Sequence, residues 1–325
     1  MTTRPKLLIA SPIFPEVVDK LQQHFDVEAN RTDSVWTGEA FTSRLADKQA
    51  AFLTGAQTVN AQVLAQAPAL KIVANMAVGY NNFDVAALEA AGVVGTNTPD
   101  VLTETTADFG FALLMATARR ITEAEHFLRA GRWDKWRYDM LLGAEVHGST
   151  LGIIGMGRIG QAVARRGVHG FGMQLIYHNR SPLDAATETE LKARYAPTIE
   201  EVLREADHVV LVLPYTPAVH HLIGAEQIAL MKPTATLINI ARGGIVDDVA
   251  LAAALQAGRI AAAGLDVFEN EPHFAKELLE AHNVVLTPHI ASATRTTRLA
   301  MANLAADNLI AFFTTGKALT PVTRG

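Results

Sequence analysis

Three polar side chains in the second half of the sequence could carry out acid–base chemistry on a small carboxylate. They are Arg242 in "INIARGGIVD", Glu271 in "DVFENEP" and His289 in "LTPHIASAT". An arginine offers a planar fork of donors to a carboxylate and to a neighbouring carbonyl group. A histidine paired with a carboxylate is stabilised as imidazolium and can give a proton to a developing alkoxide. Taken singly each could be an ordinary loop residue, but together they predict reduction of a 2-oxo acid.

Each of the three follows a short apolar run of the kind that forms a parallel strand. Such runs alternate with helical patterns and predict six strands, at 150–155, 174–179, 208–214, 235–241, 261–268 and 283–289. Six parallel strands with intervening helices match the doubly wound dinucleotide-binding fold. Because ligands of such sheets bind at the carboxyl ends of the strands, we expect the three side chains to converge there.

The first part of the chain predicts a second, smaller α/β domain. Apolar runs predict strands at 6–10, at 50–55, from residue 71 and in "VVGTNTPDV", within a sheet of about five strands. A helix is expected at about 294–313, and we expect it to return to this domain. The sequence therefore predicts an α/β protein with a substrate domain at 1–99 and 291–325 and a dinucleotide-binding domain at 100–290.

A glycine-rich turn follows the first strand of the second series. "TLGIIGMGRIGQAVARR" places Gly155, Gly157 and Gly160 as G-x-G-x-x-G between a strand and a helix. The first glycine permits the turn, the second lets the backbone approach a pyrophosphate, and the third lets helix and strand pack closely. Unpaired N–H groups at the helix start then face the phosphates. The turn predicts dinucleotide binding.

The next strand ends in residues that favour NADPH over NADH. Asn179 stands where an NAD-binding protein usually carries an acid for the ribose, and Arg180 and Ser181 follow it. An acid there would repel a 2′-phosphate by roughly 4 kcal/mol at an effective dielectric near 20. Arg180 could instead form charge-assisted bonds to that phosphate. The alternative is NADH, with Arg180 a solvated charge and Asp184 at the ribose.

Composition excludes several other classes of protein. The 325 residues are 49% hydrophobic and 19% charged with a net charge of −5, which is typical of a globular protein and gives no basic excess for nucleic acid. The chain has no cysteine, which excludes disulfides and thiol catalysis. The start "MTTRPKLLIASPIF" lacks a secretory signal pattern and no run is long enough to span a membrane, so we expect a cytoplasmic protein.

No metal site is expected. His220 and His221 are adjacent, and neighbouring side chains on regular structure point in different directions. Moreover, no third ligand occurs nearby at the spacing typical of metal sites.

These motifs resemble those of the D-isomer-specific 2-hydroxyacid dehydrogenases. The resemblance rests on "VGYNNFD", "GIIGMGRIG", "LVLPYTPAVHHLI", "LINIARGGIVD", "AGLDVFENEP" and "VVLTPHIASAT" and covers about residues 50–320. It implies a Rossmann cofactor domain, a flavodoxin-like substrate domain, and Arg242, Glu271 and His289 as the catalytic residues. It also implies a homodimer, with an arm at about 120–149 that contains Trp133, Trp136 and Tyr138. From these residues alone, a helix and a loop packed on their own domain is an equal alternative.

The resemblance also implies binding residues. Val78 and Gly79 would bind the substrate carboxylate through their amides, together with Arg242 and His289, and Leu53 and Met76 are candidates for the substrate pocket. The residues predicted to hold the cofactor are Thr106, Gly155, Gly157, Arg158, Ile159, Gly160, Asn179, Arg180, Ser181, Leu213, Pro214, Ile240, Ala241, Asp266 and Ala291.

Within the family, "HNRS" at the cofactor strand resembles the NADPH-preferring glyoxylate and hydroxypyruvate reductases. We therefore predict NADPH-dependent reduction of glyoxylate to glycolate and of hydroxypyruvate to D-glycerate. One alternative is a dehydrogenase for 2-ketogluconate or another D-2-hydroxyacid. An alternative of another class is a nucleotide-gated, corepressor-like binding protein, which would show no turnover that depends on His289.

Overall fold

The chain forms two structural units in a computed structural model that describes residues 4–32 and 34–322. One unit contains Met1–Leu102 and Ala293–Gly325, and the other contains Thr103–Ser292. Residues 1–3, 33 and 323–325, all in the predicted substrate domain, lie outside the described residues. Among the described helices, none is both long enough and apolar enough to cross a membrane.

The first unit is built on a five-stranded parallel sheet in the order β2-β1-β3-β4-β5. This is the strand order of flavodoxin-like sheets, as the resemblance implied. Its strands are β1 (Lys6–Ile9), β2 (Asp26–Ala29), β3 (Ala50–Leu53), β4 (Ile72–Asn75) and β5 (Val94–Thr96). The helices between them are α1 (Pro15–Gln22), α2 (Gly38–Leu45), α3 (Ala61–Ala65) and α4 (Val85–Ala91).

The second unit is built on a seven-stranded parallel sheet in the order β12-β11-β10-β9-β6-β7-β8. Its strands are β6 (Thr150–Ile154), β7 (Gln174–His178), β8 (Ala193–Tyr195), β9 (His208–Leu211), β10 (Thr236–Asn239), β11 (Ala262–Leu265) and β12 (Val284–Leu286). The helices are α5 (Thr103–Ala118), α6 (Ile121–Arg129), α7 (Arg158–Arg165), α8 (Ala185–Leu191), α9 (Ile199–Glu205), α10 (Ala225–Ile228), α11 (Asp248–Gln256) and α12 (Glu277–Glu280). Its first six strands have the doubly wound order of dinucleotide-binding proteins.

Both sheets are buried on both faces, which explains why their strands are nearly continuous apolar runs. Successive residues of a strand point to opposite faces, so each sheet divides its core in two. In β1, Leu7 packs in one core and Leu8 in the other. In β6, Ile153 and Ile154 are divided in the same way.

The last helix, α13 (Arg295–Thr315), belongs to the first unit, where it packs against β4 and α1. The Nζ atom of Lys20 lies 2.6 Å from an Asp307 oxygen, and Arg295 lies at the same distance from Glu16. The start and the end of the chain are thus held together by packing and by ion pairs.

The second sheet contains one strand more than the six predicted. The additional strand, β8, pairs only with β7 at the edge of the sheet and is three residues long. Its sequence, "ARY", contains no apolar run. A short edge strand of this kind is defined by its backbone pairing, which leaves little trace in the sequence.

Candidate active site

The glycine-rich turn connects β6 to α7. Gly155 has a φ of +100°, in the region that favours glycine, and Gly157 precedes the first residue of the helix. A Cβ atom on Gly160 would lie 2.4 Å from the Gly155 carbonyl oxygen, so the helix packs on the turn only because that residue has no side chain. A Cβ atom on Gly157 would meet no heavy atom within 4 Å. Open space beside the helix start fits a phosphate that approaches the backbone.

Asn179, at the end of β7, holds this turn in place. Its Oδ1 atom accepts a hydrogen bond of 2.6 Å from the Met156 amide, and the Gly155 amide donates to the His178 carbonyl at 3.0 Å. The predicted role of Asn179 was to replace a ribose-binding acid. The structure shows an additional role that the sequence pattern did not reveal, since Asn179 fixes the loop on which a phosphate would rest.

Arg180 and Ser181 lie exposed next to Asn179. In the described parts of the chain, no ion pair or hydrogen bond engages the Arg180 guanidinium. The Asp184 carboxylate, in contrast, caps α8, because it accepts hydrogen bonds from the amide and the hydroxyl of Thr187 at 3.0 and 2.7 Å. The hydroxyl bond, with the backbone bond, lowers the pKa of Asp184. A cation is therefore available at the end of β7, whereas the nearest acid is already engaged.

The other predicted cofactor residues are distributed along the same edge of the sheet. Arg158 and Ile159 form the first turn of α7, and Thr106 is buried in α5. Leu213 and Pro214 follow β9, Ile240 and Ala241 follow β10, Asp266 follows β11, and Ala291 follows β12. Because all seven strands are parallel, these carboxyl-terminal positions share the edge where dinucleotides bind.

His289 and Glu271 form a direct pair. The Nδ1 atom of His289 lies 2.7 Å from the Oε2 atom of Glu271, and the Oε1 atom of Glu271 accepts a bond of 2.8 Å from the Phe268 amide. Burial raises the pKa of Glu271, but the hydrogen bond and charge of His289 outweigh burial and lower it overall. Glu271 is therefore a carboxylate at neutral pH, and it orients the imidazole with Nε2 on the side away from it.

The loop that carries His289 has a backbone conformation that few residues adopt. His289 has a φ of +53°, a left-handed value that is unfavourable for a residue with a side chain. Asp266 holds this loop, because its carboxylate accepts bonds of 2.8 Å from Thr287 Oγ1 and from the amides of Ile290 and Ala291. Burial raises the pKa of Asp266, and these hydrogen bonds oppose the rise. Asp266 thus positions the backbone of the histidine loop.

Arg242 lies half-buried in the turn after β10. Its Nη1 atom donates to the Ala241 carbonyl at 2.6 Å, and Asn239 donates to the Arg242 carbonyl at 3.3 Å. Burial lowers the pKa of Arg242, while the negative charge of Glu271 opposes that shift. The guanidinium stays protonated, since arginine does not lose its proton in proteins. A Cβ atom on Gly243 would lie 1.7 Å from the Phe268 carbonyl oxygen, so the arginine turn packs directly on the segment that leads to Glu271.

Asp248, which sequence reasoning did not single out, supports the same segment. It is buried at the start of α11, and its carboxylate accepts a bond of 3.1 Å from the Glu269 amide. Burial raises the pKa of Asp248 to about 6, and the charges of Glu269 and Asp247 add to the rise. The sequence contains no signal for Asp248, because its burial depends on the residues that enclose it in the folded protein.

Replacing Asp248 with asparagine should stabilise the protein more at higher pH. The pKa of this carboxyl group rises from 3.8 in the unfolded chain to about 6 in the folded protein. As the pH increases between these two pKa values, the unfolded chain loses the proton more readily, so the group destabilises the folded state. The difference in unfolding free energy between Asp248→Asn and wild type should widen by about 1 kcal/mol from pH 5 to pH 8. Urea unfolding at both pH values measures it, with Asp19→Asn as the control, because Asp19 is an exposed acid in α1. A difference that does not change with pH would contradict the prediction.

In the first unit, two asparagine side chains hold the loop after β4. Asn97 Nδ2 donates to the Val78 carbonyl at 2.8 Å, and Asn75 Nδ2 donates to the Gly79 carbonyl at 2.9 Å. Asn75 is fully buried. Neither asparagine was predicted, although a polar residue at the end of the apolar run "KIVAN" is a signal that could have revealed Asn75.

The direction of these carbonyls determines where the neighbouring amides point. In a trans peptide the N–H lies opposite the preceding C=O, so the Gly79 amide points away from Asn97. The Ala77 carbonyl accepts a bond of 2.9 Å from the Thr98 amide, so the Val78 amide points away from Thr98. Within the described residues, neither of the two amides donates a hydrogen bond. Two successive N–H groups of this kind can bind a carboxylate.

The two predicted pocket residues differ in accessibility. Leu53 is fully buried in the hydrophobic core of the first unit, so its side chain offers no surface to a substrate in this structure. Met76 is half-buried, and its amide donates to the Leu53 carbonyl at 2.8 Å. An apolar residue at a strand end can face the core or the pocket, and the sequence did not distinguish these two orientations.

The second unit thus has the sheet order, the glycine turn and the paired histidine and carboxylate of a dinucleotide-dependent enzyme. The model of the D-isomer specific 2-hydroxyacid dehydrogenase NAD-binding domain matches residues 111–291. The chain is 49% identical over 313 residues to a glyoxylate reductase of Thermococcus gammatolerans, covering 95% of this chain and 93% of the relative. A glyoxylate reductase of Pyrococcus furiosus is 47% identical, with 95% and 92% covered.

Solved structures show the same relationship. A 2-hydroxyacid dehydrogenase from Polaromonas has a TM-score of 0.90 at 36% identity, with 98% of this chain and 100% of the other covered. An NADPH-dependent glyoxylate/hydroxypyruvate reductase from Sinorhizobium meliloti, in complex with NADP and malonate, has a TM-score of 0.88 at 39% identity, with 99% and 97% covered. The chain belongs to the D-isomer-specific 2-hydroxyacid dehydrogenase family. It is an NAD(P)-dependent oxidoreductase, as the sequence motifs predicted.

Proposed function

We propose that the protein reduces glyoxylate to glycolate and hydroxypyruvate to D-glycerate with NADPH. The main observation is the His289–Glu271 pair, 2.7 Å apart, beside the half-buried Arg242. A histidine held by a carboxylate is suited to give a proton to the oxygen of a carbonyl group. The names of the relatives from Thermococcus gammatolerans and Sinorhizobium meliloti support glyoxylate as the first substrate.

Each residue has a separate task in this proposal. The unbonded amides of Val78 and Gly79 bind the substrate carboxylate, and Arg242 binds the carboxylate and the carbonyl oxygen. When bound, a nicotinamide cofactor supplies a hydride to the carbonyl carbon. His289 then gives its Nε2 proton to the resulting alkoxide oxygen, while Glu271 holds the ring through Nδ1. The histidine leaves the step as neutral imidazole and regains a proton from solvent.

The chain's own residues fit such a cofactor. The N–H groups at the start of α7 would hold the pyrophosphate, in the open space beside Gly157. Arg180 would hold a 2′-phosphate, because its guanidinium is exposed and unengaged, and no acid occupies position 179. Asp184 would not compete for the ribose, because it caps α8. These features support NADPH over NADH.

Initial rates, followed by nicotinamide absorbance, test the reaction directly. Glyoxylate and hydroxypyruvate should be the best substrates with NADPH, and pyruvate and 2-ketogluconate should be poorer. A higher kcat/KM for 2-ketogluconate than for glyoxylate would show that the protein is a 2-ketogluconate reductase of the same family. If none of these 2-oxo acids oxidised NADPH, the proposed substrate class would be wrong.

We also propose that the chain forms a homodimer through the arm at about 120–149. Three aromatic side chains of this segment are largely exposed: Trp133 at 54%, Trp136 at 74% and Tyr138 at 83%. Large exposed apolar groups in one segment are typical of a protein interface. The cytoplasmic location stays a prediction of the sequence.

Replacing Trp136 with glutamate should convert the dimer to monomers, because a charge would be buried at the interface. Sedimentation velocity measures the change. The control is Leu279→Glu, since Leu279 is also exposed, at 64%, but lies outside the arm. A wild-type monomer, or a Trp136→Glu variant that stays dimeric at the same concentration, would contradict this interface.

A further inference from the structure

His220 and His221 lie side by side, contrary to the expectation that adjacent histidines point apart. Their rings are stacked, with centroids 3.9 Å apart and planes at 21°. The expectation assumed regular structure, but His221 has a left-handed φ of +51°. This local reversal of the backbone turns both rings to the same side. The geometric argument used against a metal site was therefore wrong.

A third donor comes from a distant part of the sequence. Glu269, 48 residues after His221, places its Oε2 atom 2.8 Å from His221 Nε2. The other oxygen, Oε1, lies 3.9 Å from His220 Nε2. The donor atoms of the three residues all lie within 4.8 Å of one another. The spacing of ligands along the sequence could not show this cluster, because folding brings two separate loops together.

We propose that His220, His221 and Glu269 form a binding site for a divalent transition-metal cation such as Zn²⁺. Two imidazole nitrogens and a carboxylate oxygen are a ligand set that zinc accepts, with water as the fourth ligand. Bonds of 2.0–2.2 Å place tetrahedral ligand atoms about 3.3 Å apart. Small side-chain rotations reach this spacing from the observed 2.8 and 3.9 Å. All three side chains are partly exposed, so a cation and its water can enter.

The outer nitrogens of both rings support this proposal. His220 Nδ1 lies 3.2 Å from the Tyr215 hydroxyl, and His221 Nδ1 lies 3.8 Å from an Asp247 oxygen. Histidines that bind metals usually donate their second N–H to an oxygen, which fixes the ring and makes Nε2 the ligand atom. The contact of His220 with Tyr215 is a hydrogen bond of this kind, whereas Asp247 is a nearby negative charge beyond hydrogen-bond distance of His221. The surroundings therefore present the Nε2 atoms of both rings toward Glu269.

The site would link the two loops next to the catalytic residues. The His221 amide donates to the Gly244 carbonyl at 2.7 Å, two residues beyond Arg242. Glu269 precedes Glu271 by two residues. A bound cation would thus join the segment at 220–221, which is bonded to the arginine turn, to the glutamate loop. We expect it to stabilise the folded protein through its preference for the folded state.

Zinc titration of the full-length protein, monitored by competition with a chromophoric zinc indicator, tests the site. Wild type should bind one Zn²⁺ per chain with a raised melting temperature. His220→Ala and Glu269→Gln should each weaken binding at least about tenfold, since even outer-shell partners of metal ligands contribute about 10- to 100-fold. Glutamine can still accept the hydrogen bond from His221, so that variant tests the ligand charge separately from the fold.

His24→Ala is the control, because His24 is an exposed histidine outside the proposed metal site and outside the arm at about 120–149. It should bind zinc as wild type does. The proposal is overturned if wild type shows no saturable binding, or if His220→Ala binds as tightly as wild type. Neither result depends on the substrate assay, so failure of the metal site and failure of the proposed function are distinguishable.

Discussion

Replacing His289 with asparagine should lower kcat for 2-oxo acid reduction by roughly 100- to 10,000-fold, the range for loss of a general acid. The alkoxide oxygen would have to take its proton from water instead of from Nε2. Asparagine is the informative replacement, because it tolerates the left-handed backbone found at this position, where φ is +53°. Loss of the ring is then separated from backbone strain. Steady-state kinetics with glyoxylate and NADPH measure the effect.

The affinity for NADPH, measured by fluorescence titration, should change little in this variant, since the loss lies in the chemical step. His282→Gln is a control, because His282 is an exposed histidine away from the candidate site. A His289→Asn variant with near wild-type kcat would show that another group supplies the proton. Equal losses of cofactor binding and of activity would indicate damage to the loop instead.

Parts of the fold that depend on local pattern were predictable from the sequence. Six of the seven strands in the second sheet are apolar runs, and the glycine turn is defined by three residues with fixed spacing. In contrast, β2 has the sequence "DVEA" and is only half-buried at the edge of its sheet. Such a strand exists because a neighbour pairs with it, and pairing depends on residues that are distant in the sequence.

The same distinction applies to the site. Arg242, Glu271 and His289 were recognisable by residue type and by their position after strands. Asn179 bonds to Met156, a contact across 23 residues that no spacing rule predicts. The raised pKa of Asp248 depends on burial, which arises only when the helices pack. Chemistry that resides in one motif was predictable, whereas positioning by side chains from other loops was not.

Replacing Arg180 with glutamate should reverse the cofactor preference. The change removes the only cation proposed to contact the 2′-phosphate, and that bond is worth roughly 10- to 100-fold in preference. It also places a negative charge beside the phosphate, so the total loss in kcat/KM for NADPH should exceed about 100-fold. With NADH, kcat/KM should stay constant or rise, because a glutamate can accept hydrogen bonds from the ribose hydroxyls.

Arg204→Glu is the matched control, because it makes the same change of charge at an exposed position near the end of α9. It should leave the ratio of kcat/KM for NADPH and NADH unchanged, which would exclude a long-range effect of net charge. If Arg180→Glu lowered both values equally, Arg180 would be a structural residue and not a phosphate ligand. If neither value changed, Arg180 would be a solvated charge, and the discrimination between cofactors would have to come from other predicted cofactor residues, such as Asn179, Ser181 or Arg158.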